Sequence, residues 1–179
     1  MKRVLLTGAS GFIGRNTIAP LIAQGYEVHA VSSKKQIDAA QGVRWHCVDL
    51  LESKDTECLL AEVRPTHLLH FAWYAEHGRF WRSPENFRWL EASIALLRHF
   101  HQAGGQRVVM AGTCAEYDWN YGYCTEMVTP CRPETPYGVC KNALQELLRA
   151  YSDEQKLSSA WGRIFLSYGP GEDSRRLVP

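Results

Sequence analysis

Residues Thr7-Gly8-Ala9-Ser10-Gly11-Phe12-Ile13-Gly14 set three glycines at intervals of three between an apolar run, Val4-Leu5-Leu6, and a segment with helical spacing. Few folds turn a strand into a helix in this way. Gly8 allows the tight turn, Gly11 lets backbone approach a bulky anion, and Gly14 lets the helix lie against the strand. The first N–H groups of a helix have no partner inside it and carry the positive end of its dipole, so such a turn suits a phosphate or pyrophosphate. At the head of a βαβ unit this context makes Gly8, Ser10, Gly11, Phe12, Ile13 and Gly14 candidates for holding a dinucleotide.

The rest of the chain keeps the same rhythm. Short apolar runs at 2–7, 26–32, 43–48, 66–72, 107–112 and about 159–166 read as buried strands, and helical periods fill 12–25, 53–63, 84–103 and 136–156. Phe87, Leu90, Ile94, Leu97 and His101 form one apolar stripe, and Leu144, Leu147, Leu148 and Tyr151 another. Pro20 falls inside the first helix, where a kink is expected. Strands alternating with helices imply an α/β fold of Rossmann type, a doubly wound parallel sheet with helices on both faces, as one domain over residues 1–179. The stretch 117–136, rich in Tyr, Asn, Gly, Pro and Thr, reads as one long loop.

Composition narrows the function classes. With 45% hydrophobic and 22% charged residues the chain is neither disordered nor a repeat array. A net charge of +1 gives no basic face for nucleic acid, and no apolar run reaches the ~20 residues of a membrane span. The first residues lack the apolar stretch of a signal peptide, so a cytoplasmic protein is expected. The six cysteines make no C-x-x-C pair and none stands at zinc-ligand spacing with histidine, which implies reduced thiols and no metal site. His99 and His101 are two apart on a helix and so point to different neighbours.

The spacing G-x-x-G-x-x-G after Thr7 resembles the short-chain dehydrogenase/reductase superfamily, and Thr-Gly-Ala-Ser-Gly-Phe-Ile-Gly resembles its extended branch, the NAD-dependent epimerase/dehydratase family that modifies nucleotide sugars. The resemblance implies a nicotinamide dinucleotide. NAD-selective members place an acid at the end of the second strand; here the strand runs into Ser32-Ser33-Lys34-Lys35. Two hydroxyls and two ammonium groups suit a 2′-phosphate, with Arg15 as a further cation, so NADP is expected over NAD. Asp49-Leu50 matches the pair that contacts adenine, and Phe71-Ala72 stands where members carry small residues along the cofactor.

Tyr137 and Lys141, four residues apart on a helix, share a face. A free phenol titrates near 10 and must fall by about 2–3 units, about 3–4 kcal/mol, to exchange protons near neutrality. One cation at ~5 Å and an effective dielectric of ~20 supplies about 3 kcal/mol. The pair opens the helix after the fifth strand, as in the superfamily. Thr113, at the end of that strand and four residues before Tyr117, matches the family's hydroxyl on the reacting sugar oxygen. The resemblance thus makes Tyr137 the general acid or base, Lys141 its tuner and a ribose ligand, and Thr113 the oxygen holder.

The chain departs from several members. Cys114 and Ala115 replace the acidic pair of the 4,6-dehydratases. Trp89 and Leu166 stand where many members carry asparagine. Dehydration and orthodox galactose 4-epimerisation are therefore disfavoured, and 4-ketoreduction of a nucleotide sugar is expected. An NAD-dependent epimerase and a non-catalytic dinucleotide-binding module are the alternatives. In the aromatic and basic loop Trp73–Ser83, Arg79 and Arg82 are candidates for a substrate diphosphate, and Trp73 or Trp81 for a base. The resemblance covers only the family's cofactor half, with the C-terminal substrate domain absent or truncated. It also implies exposed apolar surface and a homo-oligomer, a dimer through the helices at 84–103 and 136–156.

Overall fold

A computed structural model describes residues 2–34, 42–172 and 175. Among the described residues six strands form one parallel sheet: β1 (Arg3–Thr7), β2 (Glu27–Ser32), β3 (Val43–Cys47), β4 (His67–His70), β5 (Arg107–Thr113) and β6 (Ser158–Ile164). The α-helices among the same residues are α1 (Phe12–Ala23), α2 (Ser53–Val63), α3 (Glu85–Gln102) and α4 (Pro136–Gln155). The strand order is β3-β2-β1-β4-β5-β6. The order reverses between β1 and β4, and in open α/β sheets ligands bind at the carboxyl ends of the strands at such a point.

Alternation along the strands builds two cores. Leu5, Val31 and Leu68 face one side, where α2, α3 and α4 bring Leu60, Leu97, Phe100, Leu144 and Leu148. Leu6, Ala30 and Leu69 face the other, under Ile18 and Leu21 of α1. The central strands are buried on both faces, which is why they read as continuous apolar runs.

The element boundaries agree with the sequence to within a few residues, and the structure adds three details. Helix α1 continues through Pro20 as one element. Pro20 is exposed and lies in the last turn, and its missing N–H costs the helix the one bond that would run back to the Asn16 carbonyl. The loop 117–136 holds a short 3₁₀ turn at Trp119–Tyr121 and an antiparallel bridge between Tyr117 and Cys131. The apolar stripe of α3 is rotated: Asn86, Ser93, Leu96 and Leu97 are buried while Phe87 is exposed. His99 reaches Ser53 on α2 and His101 reaches Tyr151 on α4, as their spacing implied. Among the described residues no helix is long and apolar enough to cross a membrane.

A buried polar chain ties the first turn to the helix layer. Thr7 and His70 are register partners on adjacent strands. Ser93 Oγ donates to the Trp89 carbonyl (2.7 Å), so it accepts from His70 Nε2 (2.9 Å). His70 Nδ1 is then an acceptor and takes the Thr7 hydroxyl proton at 2.6 Å, while Thr7 Oγ1 accepts the Ala72 N–H at 3.3 Å. The bond from Thr7 needs neutral His70, because a protonated Nδ1 cannot accept. Burial first, then the Lys141 charge, pushes its pKa down to about 3. The unfolded chain binds this proton from about pH 6.5 downward and the folded chain does not, so stability falls with pH between about 6.5 and 3. Replacing His70 by Gln should remove up to about 1.4 kcal/mol per pH unit from that slope, measured by urea unfolding at pH 7, 6 and 5. An unchanged slope would refute the buried neutral imidazole.

Candidate active site

The turn 8–14 forms the floor of a cleft. Gly8 has φ of 66°, and a Cβ there would lie 2.7 Å from the Ala72 backbone nitrogen. A Cβ on Gly14 would come within 2.2 Å of the Gly8 carbonyl oxygen. Side chains at these points would push α1 off the ends of β1 and β4. Gly11 is the N-cap of α1, no side chain caps it, and no acidic residue occupies the first turn. The amides of that turn, with the dipole behind them, remain available to an anion.

The cleft has a volume of about 840 Å³ and opens at the carboxyl ends of β1 and β4. Of the residues singled out in the sequence, Gly8, Ser10, Gly11, Phe12, Ile13 and Gly14 line it from the turn. Ser32 and Ser33 line it from the end of β2, Asp49 and Leu50 from the end of β3, and Phe71 and Ala72 from the end of β4. Thr113, Tyr137 and Lys141 line the same cleft. An uncapped helix start, a backbone cradle that a Cβ would fill and a cleft of this size fit a dinucleotide.

The cations singled out in the sequence are placed differently from the rest. Lys34 is not part of the lining; its N–H donates to Ser32 Oγ at 3.1 Å. Lys35 lies outside the described residues. Arg15 lines the cleft, but its guanidinium turns back on the loop, donating to the carbonyls of Ser10 (3.2 Å) and Gly11 (3.3 Å). Neither Arg79 nor Arg82 lines the cleft; Arg79 is exposed and pairs with Glu76 at 3.1 Å. A local carboxylate three residues away satisfies the guanidinium without crossing to the cleft.

Tyr137 owes its place to the start of α4. Thr135 caps the helix by accepting the Gly138 N–H at 3.2 Å, and Pro136 occupies the first turn. A Cβ on Gly138 would stand 2.5 Å from the Ala115 carbonyl oxygen, so this glycine lets α4 settle on the turn Cys114–Glu116 that follows Thr113. Three aromatic rings from beyond β4 meet Tyr137 edge-on: Phe80 at 4.9 Å, Trp81 at 5.6 Å and Trp73 at 6.5 Å between centroids.

Lys141, one turn on, is buried, and its Nζ donates to the Ala111 carbonyl at 2.9 Å. Burial pushes its pKa down to about 7 against the opposing pull of Glu116. Glu116 is fully buried and accepts from the Thr113 N–H (2.7 Å), Trp161 Nε1 (3.1 Å) and Arg163 Nε (2.6 Å). It fixes the end of β5 and lies outside the cleft lining. Cys114 does line the cleft, but burial pushes its thiol up, which disfavours the thiolate.

The sequence profile of the NAD dependent epimerase/dehydratase family matches residues 4–179. The chain belongs to this family. Among its relatives, the UDP-glucose 4-epimerase of Neisseria meningitidis serogroup C is 25% identical over 94% of this chain and 52% of its own length. The dTDP-6-deoxy-L-talose 4-dehydrogenase (NAD(+)) of Aggregatibacter actinomycetemcomitans is 26% identical over 95% of this chain and 62% of its own. The crystal structure of the Thermus thermophilus UDP-glucose 4-epimerase in complex with NAD superposes with a TM-score of 0.86 at 31% identity, over 96% of this chain and 57% of that one. The chain thus spans half to about three fifths of the length of these relatives. This epimerase/dehydratase-family chain carries the family's parallel sheet and glycine turn.

His70, Asn86 and Glu116, buried polar residues behind the cleft lining, are what sequence reading missed, because a buried polar side chain carries no periodic signal apart from its partners. The burial of Lys141 carries a stability cost. The unfolded chain holds the lysine proton up to about pH 10.4 and the folded chain only to about 7, so wild-type stability rises with pH across that window. Lys141→Met should therefore raise stability at pH 7, without cofactor, by about 1–3 kcal/mol in urea titrations, and the gain should shrink towards pH 10. A variant less stable than wild type at pH 7 would contradict the buried, strained ammonium.

Proposed function

We propose that this chain is the cofactor-holding part of a nicotinamide-dependent nucleotide-sugar oxidoreductase acting as a 4-ketoreductase. The reading rests above all on one observation: Thr113, Tyr137 and Lys141 line the same cleft as the glycine turn. When bound, the nicotinamide exchanges a hydride at its C4 with a sugar carbon. Gly8, Ser10, Gly11, Phe12, Ile13 and Gly14 hold the pyrophosphate at the start of α1, and Asp49, Leu50, Phe71 and Ala72 flank the adenine and ribose path. Thr113 Oγ1 orients the reacting sugar oxygen. Tyr137 passes a proton to or from that oxygen, and Lys141 favours the phenolate by its charge and takes the nicotinamide ribose.

The occupied state of Glu116, the carboxylate nearest Thr113 in sequence, supports reduction over water elimination, since Arg163, Trp161 and a backbone N–H already engage it. The end of β2 supports NADP: Ser32, Ser33 and Lys34 offer hydroxyls and a cation in place of an acid. NAD has its own support in the relatives whose names carry it. Epimerisation is the second reading, favoured by the names of several relatives. Pairing of two chains through α3 and α4 is supported by the exposure of Phe87, Val139 and Leu147.

The experiment is a titration with NADPH and NADH, followed by incubation with 4-keto nucleotide sugars. NADPH should bind at least about fivefold tighter and be consumed one for one with sugar. Tyr137→Phe should cut that rate by about 10²–10⁴ with cofactor affinity kept within about twofold. Tight retained NAD with no net consumption would replace the reading by epimerisation. Binding with no turnover of any kind would leave only a dinucleotide-binding module.

A further inference from the structure

Trp73 follows Phe71 and Ala72 at the outlet of β4. The face of its ring lies 3.8 Å from Lys141 Nζ, and its indole N–H donates to Asn86 Oδ1 at 2.8 Å. Asn86 is fully buried on α3. Its amide gives its protons to the carbonyls of Phe80 (2.7 Å) and Ser83 (2.9 Å). Those carbonyls can only accept and the indole can only donate, so the amide orientation is determined and the carboxamide oxygen faces Trp73. Three bonds from one buried side chain therefore set the plane of the indole against α3.

The ammonium beneath that ring has few other partners. Ala111 accepts one of its protons. Among the described residues no carboxylate forms an ion pair with it; Glu116, from the turn after β5, acts at longer range and is matched by Arg163 of β6. Burial keeps His70 of β4 in its neutral form, and Tyr137 stands one helical turn before Lys141 on α4. A tryptophan face attracts a cation most strongly where water is excluded, as it is here.

We propose that Trp73, clasped by Asn86, is a positioning residue for Lys141: its ring holds the ammonium in place beside Tyr137 and sets the pH range over which the pair works. The consequence for catalysis rests on the role proposed above for Lys141, but the interaction itself is present without any substrate. An apolar residue at this position would leave a buried charge with one hydrogen bond. Phenylalanine would keep a ring face but lose the indole N–H.

The test follows the ¹³Cε resonance of Lys141 against pH in the 179-residue chain without cofactor, for wild type, Trp73→Leu and Trp73→Phe. Trp73→Leu should weaken proton binding by Lys141 about fivefold, moving the midpoint down by about 0.7 pH, with Trp73→Phe retaining more than half of the effect. A midpoint unchanged in Trp73→Leu overturns the proposal, as does an equal fall in both variants. Should the leucine variant not fold, wild type decides: the indole ¹⁵N–H signal of Trp73 should titrate with the midpoint of Lys141 and lose that titration in Lys141→Met. A pH-invariant indole signal overturns the proposal. Loss of turnover with a normal Lys141 titration would sink the enzyme reading and leave this one standing.

Discussion

The fit between α1 and the ends of β1 and β4 governs the placement of everything else in the cleft. It is a contact of backbone on backbone. Gly14 lies against the Gly8 carbonyl, and Gly8 lies against the Phe71–Ala72 peptide, so the helix start is delivered to the point where the strand order reverses. The Thr7–His70–Ser93 chain secures the same junction from below, linking β1, β4 and α3, and its Thr7 bond requires an uncharged imidazole. Dispersion and apolar burial make the sheet stable, but the junction makes it a site.

A second junction brings the chemistry to that floor. Gly138 lets α4 rest on the turn after β5, and Glu116 clamps that turn to β6 through Trp161 and Arg163. Thr113 and Tyr137 come from strand and helix ends that meet only because of these contacts. The arrangement carries a cost in Lys141, whose burial opposes its charge. Functional sites commonly hold such unfavourable groups, and the rest of the fold offsets them.

Much of this was legible in the sequence because it is local or periodic. Strand and helix positions follow from apolar spacing, the turn from its glycines, and the Tyr137–Lys141 pair from helical geometry. Other features depend on partners distant in the chain. The α3 stripe was misplaced by rotation because Phe87, a large apolar residue, faces outward while Asn86 and Ser93, polar but fully hydrogen-bonded, face inward. Arg79 and Arg82 read as anion ligands by composition, yet neither lines the cleft, and Arg79 pairs with Glu76. Trp73 was visible as an aromatic loop residue, but its place over Lys141 depends on Asn86, thirteen positions away.

The central claim is spatial: a nicotinamide seated by the first turn has Thr113 and Tyr137 beside its reactive carbon. The most direct measurement is a set of intermolecular nuclear Overhauser effects from the C4 proton of bound dinucleotide to selectively labelled protein. Cross-peaks to the Tyr137 ring and the Thr113 methyl, together with line broadening at the Gly11–Ile13 amides, are the predicted result. A dinucleotide that broadens those amides while its C4 proton contacts neither side chain would contradict the account.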